Sequence, residues 1–363
     1  MTKRLVQGNE AVLLGAIRAG ASYFCGYPIS PSSEILAQAS VYAASHPEFR
    51  FLQAEDEIAS ANAILGGSLA GAKSFTATSG PGFALMQEAI GYGHKVGIPT
   101  VIVNVMRVGP GTGMPTMPGQ GDLNQSRYGS TGDYTSIVFY PSTVAECYEY
   151  AIQAFNAAEE SRSPVILLSD AFLGHLNEVA DLDSVAVPVV PRTLEPLASG
   201  STRLFSGVAT YADGEPATAD SDEFIRQYRA AKALRESVAE KYAFYEYGWN
   251  KDSDTLVIAF GITRRIAQPL ADHFALFRPI RIWPVLDKEL AEIAGRYKKI
   301  IVIEGSDGQY ASVVERVLFR RVERVPLLGG RMSLEAVREG LDRLGLLPEE
   351  ASQSGAGSPA KAR

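Results

Sequence analysis

The chain has 363 residues, more than one ordinary core holds, so about two domains of roughly 100–200 residues each are expected. Its 34 basic and 41 acidic side chains give a net charge of −7, which argues against a nucleic-acid partner that needs a basic face. No apolar run approaches the roughly 18–20 residues of a spanning helix, and the N-terminus has no apolar signal core, so no membrane is expected and a cytoplasmic location is.

Residues 1–180 read as helices alternating with short apolar strands. Gly8 to Ala19 has helical spacing and stops at Gly20, after which Ser22 to Gly26 is a short buried strand. Pro28 and Pro31 forbid helix until Ser32, which is placed to cap a helix to about Ala44. Phe51–Ala54 is strand-like, and Glu55 to Gly71 is a helix rich in Ala and Gly. Ser74–Thr78 is a strand, with Ser79-Gly-Pro-Gly82 turning into the next helix. The continuous apolar runs Thr100–Val105 and Val165–Leu168 are strands covered on both faces. This βαβ rhythm predicts an α/β fold with a doubly wound parallel sheet.

Between about 106 and 133 the pattern breaks into a Gly- and Pro-rich stretch. Loops longer than about 12–15 residues are uncommon, and one directly after a central strand is expected to carry function. Residues 183–220 form a connector. Asp220 with Glu223 then opens a helix to about Tyr247, its stripe formed by Phe224, Tyr228, Leu234, Val238, Tyr242 and Tyr245. A second, smaller α/β rhythm follows, with strands at 255–261, 280–285 and 299–304. The expected division is 1–182, a connector with a helix over 183–250, a second domain over 251–346, and a disordered tail over 347–363.

Cys25 and Cys147 are too few for a disulfide framework or a four-thiolate iron–sulfur cluster, and the four histidines lack zinc-like spacing. Cys25 reads as a buried small residue. Ligands bind at the carboxyl ends of strands in open α/β sheets. Four candidate loops follow successive strands: Tyr27-Pro-Ile-Ser30, Glu55-Asp-Glu57, Ser79-Gly-Pro-Gly82 and Arg107. Each has a bland reading, since Glu57 can simply complement a helix dipole and Arg107 can be a surface ion pair. Together on one rim, a carboxylate, a hydroxyl and a guanidinium suit an oxoacid ligand.

Gly8-Asn-Glu10, Gly26-Tyr-Pro-Ile-Ser-Pro-Ser-Ser-Glu34, Glu55-Asp-Glu-Ile-Ala-Ser60, Thr76-Ala-Thr-Ser-Gly-Pro-Gly82 and Arg107-Val-Gly-Pro-Gly-Thr-Gly113 resemble the alpha subunit of 2-oxoacid:ferredoxin oxidoreductases. Trp283-Pro284 and Glu304-Gly-Ser-Asp-Gly-Gln309 resemble that family's transketolase-C-terminal-like module. The resemblance covers about 1–182 and 250–345. It implies a thiamine diphosphate site of the pyrimidine-binding type, at which Glu57 matches the glutamate that protonates the aminopyrimidine. It implies that Tyr27 and Pro28 back the cofactor ring and that Arg107 binds the substrate carboxylate. Ser30 stands where the family usually has a substrate-binding Thr, so the hydroxyl is kept and a methyl is lost.

The chain lacks the Gly-Asp-Gly run through which thiamine enzymes hold Mg²⁺, and it lacks a Cys-rich ferredoxin motif. The resemblance therefore implies a beta subunit that supplies the diphosphate and Mg²⁺ half of the site and an iron–sulfur cluster. Gamma and delta subunits, ferredoxin and coenzyme A are the other implied partners. Glu55–Ser60, Thr78–Phe83 and Gly113–Thr116 with Gln120–Asp122 look most like the 2-oxoglutarate branch; Asn124 and Gln125 look more like the 2-oxoisovalerate branch. An aryl 2-oxoacid is the further alternative, and a non-catalytic scaffold is the alternative of another class. A 2-oxoglutarate site needs a cation for the distal carboxylate; His94, Lys95 and Arg127 are the candidates, each also readable as solvated surface.

Overall fold

The computed structural model describes residues 3–200 and 205–347. Apolar, β-branched runs form its strands, and small-residue or amphipathic runs form the helices between them. The chain begins with β1 (Arg4–Gln7), α1 (Gly8–Arg18), β2 (Tyr23–Gly26) and α2 (Ser33–Ser45). Then come β3 (Arg50–Gln53), α3 (Glu57–Leu69), β4 (Ser74–Thr78), α4 (Gly80–Leu85) and α5 (Gln87–Val96). β5 (Thr100–Val108), β6 (Met114–Pro118), α6 (Leu123–Tyr128) and β7 (Ile137–Phe139) lead into α7 (Val144–Ser161). β8 (Pro164–Asp170), α8 (Ala171–His175) and β9 (Asn177–Ala180) precede the connector. Beyond it lie α9 (Ser221–Lys241), β10 (Tyr245–Gly248), β11 (Thr255–Ala259), α10 (Ile262–Ala267), β12 (Ala275–Pro279) and β13 (Arg281–Trp283). The last elements are α11 (Asp287–Ala294), β14 (Lys299–Glu304), α12 (Gln309–Leu318), β15 (Glu323–Pro326) and α13 (Leu334–Arg343).

The larger sheet runs β13-β7-β8-β5-β4-β2-β3, with β6 folded back on β5. From β7 to β3 every pairing on this path is parallel. Alternate residues of β5 serve opposite faces, as the two-residue period of a strand requires. Val101, Val103 and Val105 join the core under α1 and α7, while Ile102 and Met106 join the core that contains α3 and α5 residues. α1 and α7 pack closely because Gly15 has no side chain; a Cβ there would lie 2.3 Å from the Tyr148 carbonyl oxygen.

The second sheet runs β10-β12-β11-β14-β15, parallel except for β10. Its inner face shares a core with the first sheet, where Tyr140, Ile282 and Trp283 pack with Phe260, Phe277 and Ile300. The connector is pinned to the first unit by Lys73 Nζ on the Val190 carbonyl (2.5 Å), Asn156 Nδ2 on the Pro188 carbonyl (2.8 Å) and an Arg192–Glu159 ion pair (2.7 Å). No helix among the described residues is long and apolar enough to cross a membrane. Of the tail expected to be disordered, residues 348–363 lie outside the described residues.

Four sequence expectations are corrected. The helix from 220 ends at Lys241, not near Tyr247, because Tyr242 and Phe244 turn to pack against Phe139. Tyr245–Gly248 is instead a strand antiparallel to β12. The strand expected at 280–285 in the second sheet is β13, which pairs with β7 of the first; β12, unseen in the pattern, fills its expected place. Only Ile280 lies between β12 and β13, so no loop marks the crossing between sheets. The 106–133 stretch is not structureless, since it holds β6 and α6. Finally, the Ser32 hydroxyl bonds back to the Ile29 carbonyl (2.9 Å) and does not cap α2.

Asp170 ends β8 and is fully buried. Its Oδ1 accepts from the Phe172 and Leu173 N–H groups (3.0 Å each), and its Oδ2 accepts from the Tyr140 hydroxyl (2.7 Å). Burial outweighs these bonds and pushes its carboxyl from 3.8 up to about 6. Over that window the unfolded chain releases the proton while the folded chain keeps it, so stability falls as pH rises from about 4 to about 6. Asp170→Asn is expected to flatten this component, about 3 kcal/mol at most, in the difference between urea-unfolding curves of the two proteins at pH 4–7. Parallel pH dependences would refute it.

Candidate active site

The strand order β5-β4-β2-β3 reverses direction between β4 and β2, the kind of switch point at which open α/β sheets bind ligands. Because these strands are parallel, the loops that follow them share one rim. That rim carries Tyr27 to Ser30, Glu57 at the start of α3, Ser79 to Gly82, and Arg107, which the sequence put after its strand but which lies within the end of β5.

Asn9, which the sequence pattern left without a role, fixes the first loop. Its Nδ2 donates to the Pro31 carbonyl (2.9 Å) and to Glu34 Oε2 (3.0 Å) from a fully buried position. Gly174 leaves room for this, since a Cβ there would stand 2.8 Å from Asn9 Oδ1, and Gly8 lets the start of α1 close on Leu173, where a Cβ would lie 2.0 Å from the carbonyl oxygen. Tyr27, Pro28 and Ser30 are exposed on the rim, and the Ser30–Pro31 peptide is cis.

Arg107 reaches that loop from the end of β5, donating through Nη1 to the Ser30 carbonyl (2.7 Å). The side chain is buried, and its Nε has no hydrogen-bond partner. The guanidinium is therefore anchored on one edge with donor capacity left over.

Glu57 is the first residue of α3, behind the Asp56 cap whose Oδ1 accepts from the Ala59 N–H (2.7 Å). It is 5% exposed. Its carboxyl rests on the bare Cα of Gly82, where a Cβ would lie 2.3 Å from Glu57 Oε1 and 2.3 Å from Thr78 Oγ1. Burial pushes the Glu57 carboxyl above the ordinary range; a backbone hydrogen bond and the Arg107 charge pull against the rise, and the Asp56 charge adds to it. The second glycine of Ser79-Gly-Pro-Gly82 is thus required by close approach, beyond any turn.

Beside Arg107 opens a cleft of about 810 Å³, walled by the Gly80–Pro81 turn, the 107–111 and 119–125 loops and the Gly305–Gln309 loop of the second sheet. Asp122 lines it, accepting from Asn104 Nδ2 (3.0 Å), with burial raising its carboxyl pKa. Gln309 closes one wall: its Nε2 donates to the Gly121 carbonyl (2.6 Å) and its Oε1 accepts from the Asn124 N–H (3.0 Å). Gln120 sits behind, its Oε1 accepting from the Gly305 N–H (2.7 Å) and its Nε2 donating to the Phe260 carbonyl (3.0 Å).

The candidates for a distal-carboxylate cation are placed elsewhere. His94 is fully buried rather than solvated, stacked on Tyr134 at 4.6 Å, and Arg127 donates to the Tyr134 carbonyl. Lys95 lies over the Phe224 ring at 4.8 Å. None of the three lines the cleft beside Arg107. Among the described residues, no group of three or more His, Cys, Asp and Glu is arranged to hold a metal ion.

A buried carboxyl whose pKa is raised by burial, packed on a bare glycine Cα, fits the aminopyrimidine end of thiamine diphosphate. Comparison with known proteins points to the same group. Residues 14–242 match the family model described as pyruvate flavodoxin/ferredoxin oxidoreductase, thiamine diphosphate-binding. The 2-oxoglutarate synthase subunit KorA of Archaeoglobus fulgidus is 38% identical over 354 residues, covering 93% of this chain and 98% of that one. The ketoisovalerate oxidoreductase subunit VorB of Methanothermobacter thermautotrophicus is 34% identical over 353 residues, covering 93% and 98%. A solved structure of the 2-oxoglutarate:ferredoxin oxidoreductase of Magnetococcus marinus, with 2-oxoglutarate, coenzyme A and succinyl-CoA bound, superposes with a TM-score of 0.83 at 29% identity. That match covers 93% of this chain and 65% of the other. The chain belongs to the pyruvate flavodoxin/ferredoxin oxidoreductase family and carries its thiamine diphosphate-binding domain.

Proposed function

We propose that the chain is the alpha subunit of a 2-oxoglutarate:ferredoxin oxidoreductase, which oxidatively decarboxylates the oxoacid and passes the acyl group to coenzyme A. The observation that carries this reading is the buried Glu57, its carboxyl pKa raised by burial, on the same rim as the partly unsatisfied guanidinium of Arg107. Bound thiamine diphosphate supplies a nucleophilic carbon for the keto group and a sink for the electrons left by CO₂.

This chain's residues do the rest of their half. Glu57 holds a proton at its carboxyl toward the pyrimidine nitrogen, and Gly82 leaves the space for it. Tyr27 and Pro28 shield the ring. Arg107, steadied by the Ser30 carbonyl, turns its free donors to the oxoacid carboxylate, and the Ser30 hydroxyl lies on the same loop. A beta subunit supplies the Mg²⁺–diphosphate half and an iron–sulfur cluster, with gamma and delta subunits and ferredoxin completing electron transfer.

The complex, purified with its co-expressed subunits, is expected to reduce a redox dye only when 2-oxoglutarate and coenzyme A are both present. Faster reduction with 2-oxoisovalerate or phenylglyoxylate would reassign the substrate. No reduction with any oxoacid would favour a scaffold subunit.

A further inference from the structure

A second cavity, of about 370 Å³, opens between α5, the 130–134 loop and α9, and plays no part in the reaction above. It lies at the amino edge of the large sheet. Lys95 lies one residue before the end of α5, shortly before β5 begins at Thr100, whereas Arg107 stands seven residues along that strand, roughly 23 Å beyond Thr100 at the rise of a strand.

Arg235 lines this cavity and is 7% exposed. Its Nη2 donates to the His94 carbonyl, and its Nε has no partner. Among the described residues no counter-charge holds it: its sequence neighbour Glu236 pairs with Lys232, and burial alone draws the guanidinium down to about 10. Lys95 lines the same cavity, its ammonium over the Phe224 ring, and burial with the Arg235 charge lowers its pKa. His94 completes the cluster, fully buried with no hydrogen bond to either ring nitrogen. Glu88 and Asp133 also line the space, yet among the described residues neither forms an ion pair with Arg235 or Lys95.

A buried cation without a partner is held at a cost that an anion would offset. The remaining wall is aromatic, with Tyr92, Tyr134 and Phe224, which suits a flat ring. We propose that this cavity binds a small aromatic anion, its carboxylate or phosphate head on Arg235 and Lys95 and its ring against the aromatic wall.

The test is calorimetric titration of the intact complex with phenyl phosphate, benzoate and inorganic phosphate. Saturable binding of either aromatic anion, tighter than that of inorganic phosphate, is expected; the two arms decide between a phosphate and a carboxylate head. Arg235→Gln is expected to weaken binding by about tenfold or more, and Lys95→Met, at a less buried position, to weaken it by less. Arg107→Ala is expected to leave it unchanged. No saturable binding in the intact complex would overturn the proposal, as would binding that survives Arg235→Gln or is lost with Arg107→Ala. Equal affinity for inorganic phosphate would overturn the aromatic part. Should Arg235→Gln fail to fold, Lys95→Met decides alone: unweakened binding refutes the site.

Discussion

Glu57→Gln is expected to leave the chain folded and assembled while cutting oxoacid turnover by roughly 10²–10⁴-fold, the range that a positioned acid–base group contributes. The substitution keeps the length and hydrogen-bonding reach of the side chain. It also fits the space above Gly82 without adding an atom beyond the carboxyl it replaces. What the amide lacks is a proton it can give and take back. The native carboxyl is suited to that exchange because burial already lifts its pKa toward the working range. Stability is expected to change little, since burial already disfavours the charged carboxylate and the amide that replaces it is neutral and of the same shape. The check is steady-state dye reduction by the purified complex beside size-exclusion profiles of wild type and variant. Turnover within a few-fold of wild type, in a normally assembled complex, would refute the assignment of Glu57.

Arg107→Ala is the second large effect. Losing a forked, charge-assisted contact to a carboxylate is expected to lower kcat/KM by roughly 10²-fold or more, chiefly through KM for the oxoacid. Arg107 also anchors the 27–32 loop through the Ser30 carbonyl, so part of the expected loss comes from a freed loop. Arg107→Lys separates the two contributions. It retains a charge and one donor for the loop but cannot fork onto a carboxylate, so an intermediate KM is expected. A wild-type KM in the alanine variant would show that the substrate carboxylate is held elsewhere.

The rim itself was legible because its residues lie at or just after the carboxyl ends of strands, several of which are plain apolar runs in the sequence. Continuous runs such as Thr100–Val105 locate the strand, and parallel order then sends the next loop to the same edge. That is how Arg107 and Ser30, 77 positions apart, come within hydrogen-bond distance. The role of Gly82 could not be read this way. A glycine after a proline looks like a turn, and only the packed structure reveals a carboxyl occupying the space of its missing side chain. Asn9 was hidden for a similar reason, since its partners are a carbonyl and a carboxylate more than twenty residues away.

The misreadings share a physical cause. Periodicity reports which face of an element is buried, not which neighbour buries it. The run from Phe274 to Trp283 is apolar except for Arg278 and Arg281, one in each strand, and only Ile280 lies between the strands, so no loop marks the point where the chain leaves one sheet for the other. The aromatic stripe of α9 continues past Lys241 in sequence, but Tyr242 and Phe244 are drawn to the aromatic cluster around Phe139. His94 and Lys95 looked like surface because polar residues near a helix end usually are.

Gln120 has a mechanical consequence. Its main chain and side chain both hold the Gly305 peptide, its amide also reaches Phe260 and Tyr140, and a single apolar core runs between the two sheets around it. The two walls of the cleft that this chain contributes therefore move as one jaw. Under the proposed function, whatever gape is needed to admit coenzyme A and let its acyl product leave is then left to the opposing jaw, the one assigned to the proposed beta subunit.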